Sequence, residues 1–306
     1  RKPKVPTCAP DCTPVPSPTE GQLESMYFDL NIPPCDAILV EGEKHPPAEC
    51  GLHVHLVKFD PICADGASTG WNYMSAPSDG KKMVYRWWCD EEFGVIFCHD
   101  HLFANTRQRH GLFGSLLVEP EGSRFLDPIQ PEKTIIAGQQ AVIERQDGSR
   151  FREFCIGGGD WMAMYDRDGR PLEVPDYPSS HEDNGTMCVN YRSAPLKERG
   201  DKPERWFKPD QDTIVFEANK DEPIYLRLIQ GSHEEQHSFQ IHGGLRWRRF
   251  RKDQDSPIMS QQTLGLSEAF TFILDQSYPA GDYLWRFSGG EDTWLGCWGL
   301  IRVHEN

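Results

Sequence analysis

The sequence predicts an all-β protein of sandwich or barrel type. Three observations predict it. Helix signals are scarce, short segments rich in β-branched and aromatic residues are frequent, and Gly, Pro, Asp or Asn bounds nearly every one of them. Many short strands separated by turns fit sheets packed face to face or closed on themselves.

Along the chain the strand segments are Leu52–Phe59, Met83–Trp88, Val95–Phe97 and Gly114–Val118, then Thr134–Ile136, Phe151–Ile156 and Met187–Asn190. Thr213–Glu217, Ile224–Ile229, His237–His242, Ala269–Leu274, Tyr283–Phe287 and Gly299–Val303 complete the set. Ahead of them, residues 1–25 carry Pro3, Pro6, Pro10, Pro14, Pro16 and Pro18, which bar helix and central strand and make an extended arm. The Pro-, Asp- and Glu-rich stretch Glu119–Pro131 marks a boundary between two β domains, 26–122 and 123–306, and the length of 306 residues suits two domains. The polar stretch from Asp166 to Lys208 predicts long loops in the second.

The formal net charge of −15 disfavours nucleic acid or an anionic membrane surface as a partner and favours neutral or cationic substrates and metal ions. No apolar run has membrane-spanning length. Ten cysteines without a CxxC pattern suggest an oxidising compartment, extracellular or periplasmic, with most of them in disulfides. Cys8 with Cys12 and Cys35 with Cys50 read as local staples, and Cys63 with Cys89 and Cys155 with Cys188 as further pairs. The chain begins at Arg1 without a targeting segment, which reads as a mature or trimmed product. Asn184-Gly185-Thr186 is a glycosylation sequon of a kind that also arises by chance.

The candidate site rests on two His-x-His pairs, His53-Val54-His55 and His99-Asp100-His101, in segments that alternate like strands. Side chains two apart on a strand share a face, about 6–7 Å apart, so each pair offers two imidazoles to one pocket. Imidazoles with few carboxylates nearby suit copper, zinc, iron or nickel rather than calcium or magnesium.

The run Phe97-Cys98-His99-Asp100-His101-Leu102-Phe103-Ala104-Asn105, followed by His110-Gly111-Leu112-Phe113-Gly114-Ser115-Leu116-Leu117-Val118-Glu119-Pro120, resembles a cupredoxin domain of the multicopper oxidase superfamily. It is most similar to the large bacterial members that include manganese oxidases and are built of ceruloplasmin-like repeats. The resemblance implies two cupredoxin-like Greek-key β-sandwich domains. It also implies copper as the cofactor, with His53, His55, His99 and His101 as ligands of a trinuclear cluster that reduces dioxygen to water. The second half fits the same pattern through Ile224–Ile229, His237-Ser238-Phe239-Gln240-Ile241-His242-Gly243 and Gly281–Phe287, which makes His237 and His242 further metal candidates.

The departures from the pattern are specific. Gln240 stands where the family's first motif has its middle histidine. Trp285-Arg286-Phe287-Ser288-Gly289-Gly290 holds neither the cysteine nor the histidines of its last motif. Cys98 adjoins His99 as a blue-copper thiolate would, but Phe97 and Leu112 occupy places where such a site needs histidine and methionine, so a thiol or disulfide partner is the simpler reading.

Two other motifs compete. His233-Glu234-Glu235-Gln236-His237 matches the zinc-peptidase pattern, but Gly231-Ser232 before it and strand-like alternation after it deny the helix the pattern needs; Glu234 or Glu235 could still orient a ligand. Gly243–Phe250 is basic and aromatic, and in so acidic a chain reads as a solvated strand face rather than a nucleic-acid platform. Trp285, Trp294 and Trp298 read as packing.

The expected function is therefore a multicopper-oxidase-like protein that oxidises a metal ion or a phenol with dioxygen once another subunit or domain completes the copper cluster. The non-enzyme alternative is a degenerate cupredoxin module with a structural or copper-binding role in an extracellular assembly. Either reading makes a homo-oligomer or a partner chain part of the expectation.

Overall fold

The computed structural model describes residues 51–61, 64–66, 84–101, 104–109, 111–162, 168, 170, 187–190, 192–196, 199–200, 202–231, 235–249, 256–287 and 289–305. The Pro-rich arm, the Cys8–Cys12 and Cys35–Cys50 staples, Cys63, the sequon, His110 and His233 lie outside these residues. Two compact units divide the chain, one of residues 1–90 and 98–113, the other of residues 91–97 and 114–306.

In the first unit, β1 (Leu52–Val54) pairs antiparallel with the last three residues of β4 (Gly94–Asp100), with His53 opposite His99 and Val54 opposite Cys98. β2 (Lys58–Phe59) pairs antiparallel with β3 (Trp87–Trp88), and the short helix α1 (Ala104–Arg109) follows β4. The strand predicted over Leu52–Phe59 is broken. Leu56 takes φ 62 and the Val57 N–H donates to the His55 carbonyl at 2.7 Å, a γ-turn that ends β1. His55 thus stands just after β1.

The second unit is a sandwich of two mixed sheets. β5 (Phe113–Val118) leads into it. One sheet runs β13-β15-β11-β8-β7-β6, with β9 also paired to β8; its strands are β6 (Arg124–Leu126), β7 (Gln140–Glu144), β8 (Arg150–Gly159), β9 (Cys188–Val189), β11 (Ile224–Gln230), β13 (Arg248–Arg249) and β15 (Ala269–Leu274). The other runs β10-β17-β16-β12-β14, from β10 (Ile214–Asn219), β12 (His237–Ile241), β14 (Gln261–Leu264), β16 (Gly281–Phe287) and β17 (Trp298–His304). Helices α2 (Pro203–Trp206) and α3 (Gly290–Trp294) are single turns at the margins. Thr134, predicted within a strand, makes only an isolated bridge to Leu126.

Period-2 alternation builds the core. Tyr283, Trp285 and Phe287 of β16 and Phe239 and Ile241 of β12 are buried against Phe154, Leu226, Leu228 and Phe272 of the opposite sheet. Phe154 stacks on Phe216 at 4.7 Å between ring centroids, and Phe239 on Phe272 at 6.1 Å. Gly299 lies opposite Trp285, and a Cβ there would stand 2.2 Å from the indole, so the ring's place in the core requires glycine.

Several polar groups of this unit are enclosed, Arg227 among them. Arg227, 1% exposed, donates from Nε to Glu153 at 2.9 Å and from a terminal nitrogen to Thr271 Oγ1 at 3.0 Å, and it also pairs with Glu119. Burial pushes the Glu153 carboxyl above its usual range against the pull of Arg227. Tyr225 and Phe151, stacked at 3.9 Å, lie under the guanidinium.

The predicted Cys155–Cys188 disulfide is corrected: no disulfide joins two described cysteines. Cys188 pairs with Gly159, four residues beyond Cys155 on β8. That offset is about 13 Å along a strand, far beyond the span of a disulfide. Burial instead pushes the Cys155 thiol up, well beyond its usual range.

Candidate metal centre

The first unit gathers four of the six sequence-predicted ligands. Because His53 faces His99 across the β1–β4 pair, their rings stand 5.5 Å apart. His101 follows the end of β4 and lies 4.6 Å from His53 and 5.1 Å from His99. His55, just after β1, lies 5.2 Å from His53 and 5.3 Å from His99. One ring nitrogen from each of His53, His99 and His101 falls within a 4.8 Å group, and Nε2 of His55 is 3.2 Å from Nε2 of His99.

The surrounding backbone sets which nitrogen carries the proton. Nδ1 of His99 lies 2.7 Å from the Asp100 carbonyl, and Nδ1 of His53 lies 2.6 Å from the Asp65 carbonyl. Since a carbonyl can only accept, each Nδ1 is an N–H donor and each Nε2 of the neutral ring carries its lone pair. The Asp65 carboxylate adds a second contact to the His53 N–H at 3.1 Å.

Glycine makes this approach possible. A Cβ on Gly51 would stand 1.9 Å from the Gly66 carbonyl oxygen, and one on Gly66, at φ 78, would stand 2.2 Å from that of Leu52. Asp100, 2% exposed, accepts the Gly51 N–H at 2.9 Å and ties the end of β4 to the start of β1.

Desolvation is the leading cause that lowers the pKa of His55, His99 and His101, with neighbouring imidazoles adding to it; His99 falls to about 4. These three rings are neutral at pH 7. Two imidazole nitrogens bound to one tetrahedral ion at about 2.0–2.1 Å stand about 3.3 Å apart, which matches the His55–His99 spacing. The donor set fits an imidazole-preferring transition metal such as copper.

The other two candidates belong to the second unit. His237 shares the inward face of β12 with Phe239 and Ile241 and is 5% exposed. Its Nδ1 lies 2.8 Å from Asp292 and its Nε2 3.2 Å from Asp160. Burial opposes the charge, but hydrogen bonds to the two carboxylates outweigh it and raise the pKa to about 10. Both nitrogens of this imidazolium therefore donate, and neither has a lone pair for a metal.

His242, after the end of β12, accepts at Nε2 from Arg286 Nε at 2.9 Å. Burial and the guanidinium lower its pKa. Asp65, Asp160, Asp292 and Arg286, which decide the state of these rings, were missed in the sequence. Only His237 carried a usable signal, since its parity with Phe239 and Ile241 marks it as a core position.

Several solved structures share this architecture. A multicopper oxidase structure aligns at TM-score 0.53 with 16% identity, covering 84% of this chain and 70% of that one. A blue copper oxidase from Nitrosomonas europaea aligns at TM-score 0.53 with 18% identity and the same coverages. A copper nitrite reductase from Nitrosomonas europaea aligns at TM-score 0.54 with 12% identity, covering 86% of this chain and 76% of that one. The fold is of cupredoxin type. At these identities the likeness is one of fold alone. No family model and no curated protein sequence matches the chain.

Proposed function

We propose that the chain is a copper-binding protein of cupredoxin type in which His53, His55, His99 and His101 hold the metal. The convergence of these four imidazoles carries the reading, and the copper proteins among its structural neighbours favour copper over other imidazole-binding ions. Bound copper would supply one-electron redox chemistry. The backbone carbonyls of Asp65 and Asp100 fix the tautomers of His53 and His99, so each presents Nε2 without rearrangement. Burial keeps protons off His55, His99 and His101 at neutral pH.

By itself the chain is best read as a copper-holding module. His237 is locked as an imidazolium, and His242 is capped by Arg286. Oxidation of a metal ion or a phenol with reduction of dioxygen would then need further ligands from a second copy or a partner chain. That two structural neighbours are copper oxidases favours this second reading. An extracellular or periplasmic site of action, suggested by the cysteine content, belongs to the same proposal.

Copper content of the copper-loaded chain, by mass spectrometry after dialysis, tests the reading. At least one copper per chain that is lost in His99→Ala supports it, and three or more per assembly would favour the oxidase. Copper at background level, or unchanged in His99→Ala, would overturn it.

A further inference from the structure

The second unit carries a small site of opposite electrical character. Arg286 places a guanidinium against His242 Nε2, so the ring proton sits on Nδ1 and a cation already occupies the approach a metal ion would take. Gln240, Ile241, His242, Gly243, Gly244, Arg246 and Ser260 line a pocket of about 270 Å³ there. That is small beside the roughly 300–1,000 Å³ of organic-ligand sites.

Among the described residues, every polar side chain on its wall can donate a hydrogen bond: the Arg246 guanidinium, the His242 Nδ1–H, the Gln240 amide and the Ser260 hydroxyl. No carboxylate is among the described lining residues, although the chain has 47 acidic residues against 32 Lys and Arg. Gly243 and Gly244, at φ 87 and 93, form a turn that leaves one wall bare of side chains.

The geometry points to a binding site for a small oxyanion, a carboxylate or phosphoryl group held between Arg246 and His242, whose Nε2 Arg286 occupies. Guanidinium forks match such groups through charge-assisted hydrogen bonds, and Gln240 and Ser260 add neutral donors. The site owes nothing to the copper reading, because its residues are those that turn a metal ion away.

Calorimetric titration of the metal-free full chain at low ionic strength, with citrate and separately with inorganic phosphate, tests it. One saturable site per chain is expected for at least one anion; tighter citrate assigns a carboxylate ligand, and tighter phosphate a phosphoryl one. Arg246 is exposed, so Arg246→Gln should fold unchanged and weaken binding about tenfold, while Arg246→Lys retains most of it. The absence of saturable binding by either anion, or binding unaltered by both Arg246→Gln and Arg246→Glu, would overturn the proposal.

Discussion

His55 Nε2 stands 3.2 Å from His99 Nε2, although the two residues are 44 apart in sequence and only one of them lies on a strand. The contact exists because the β1–β4 register sets His53 opposite His99, and His55, two residues from His53, joins them from the residue just after β1. A γ-turn centred on Leu56 follows at once and ends the strand there. Strand register therefore makes one four-imidazole cluster out of two local pairs.

Copper should stabilise the chain through this cluster. A ligand at a hundred times its dissociation constant adds about 2.7 kcal/mol by mass action, so copper(II) should raise the thermal midpoint by several degrees. His53→Ala should remove most of that rise. An equal rise in the variant would mean that copper binds elsewhere.

Acid should destabilise the metal-free protein through the same rings. His99 has its folded pKa lowered to about 4 against 6.5 unfolded, so between these values the unfolded state binds more protons. Stability then falls as pH drops from 6.5 toward 4, and His55 and His101 act in the same direction. Chemical denaturation at stepped pH should show this slope, reduced in His99→Gln; identical slopes would count against it.

Alkali should act on the second unit. His237, with its pKa raised to about 10, gives a stabilisation that is complete below 6.5 and fades as pH rises through 10. Its imidazolium links Asp160 after β8, the start of β12, and Asp292 in α3, so those contacts weaken on deprotonation. A proton-resolved NMR titration of His237 showing a midpoint near 6.5 would contradict the assignment.

Arg227→Ala should cost about 3–5 kcal/mol, because it leaves Glu153 a buried carboxylate without its cation and Glu119 with Arg145 alone. Arg227→Met combined with Glu153→Gln should recover part of the loss. Urea unfolding of the three proteins would measure both effects, and a loss under 1 kcal/mol for Arg227→Ala would show the network to be well solvated.

The strands were legible wherever alternation was strong. Ala269–Leu274 was read with its observed limits, and Ile224–Ile229 fell one residue short of β11. Arg124–Leu126 and Gln140–Glu144 were missed, because charged and amide residues on their outer positions hide the pattern; they become strands through pairing with each other and with β8. At the site, the His-x-His pairs were visible, since two residues of spacing is local information. His237 and His242 were both metal candidates, yet the odd spacing of five along a strand favours opposite faces.

By itself the sequence determined the all-β class, the apolar alternation of the core strands and the two histidine pairs, because each is written in short-range periodicity. Only the tertiary structure decided what each histidine is. Asp292 and Asp160 reach His237 from 55 and 77 residues away, and Arg286 reaches His242 from 44. Charge state depends on desolvation and on which groups sheet order and register bring together. Neither quantity exists in the chain until the sheets have paired and packed.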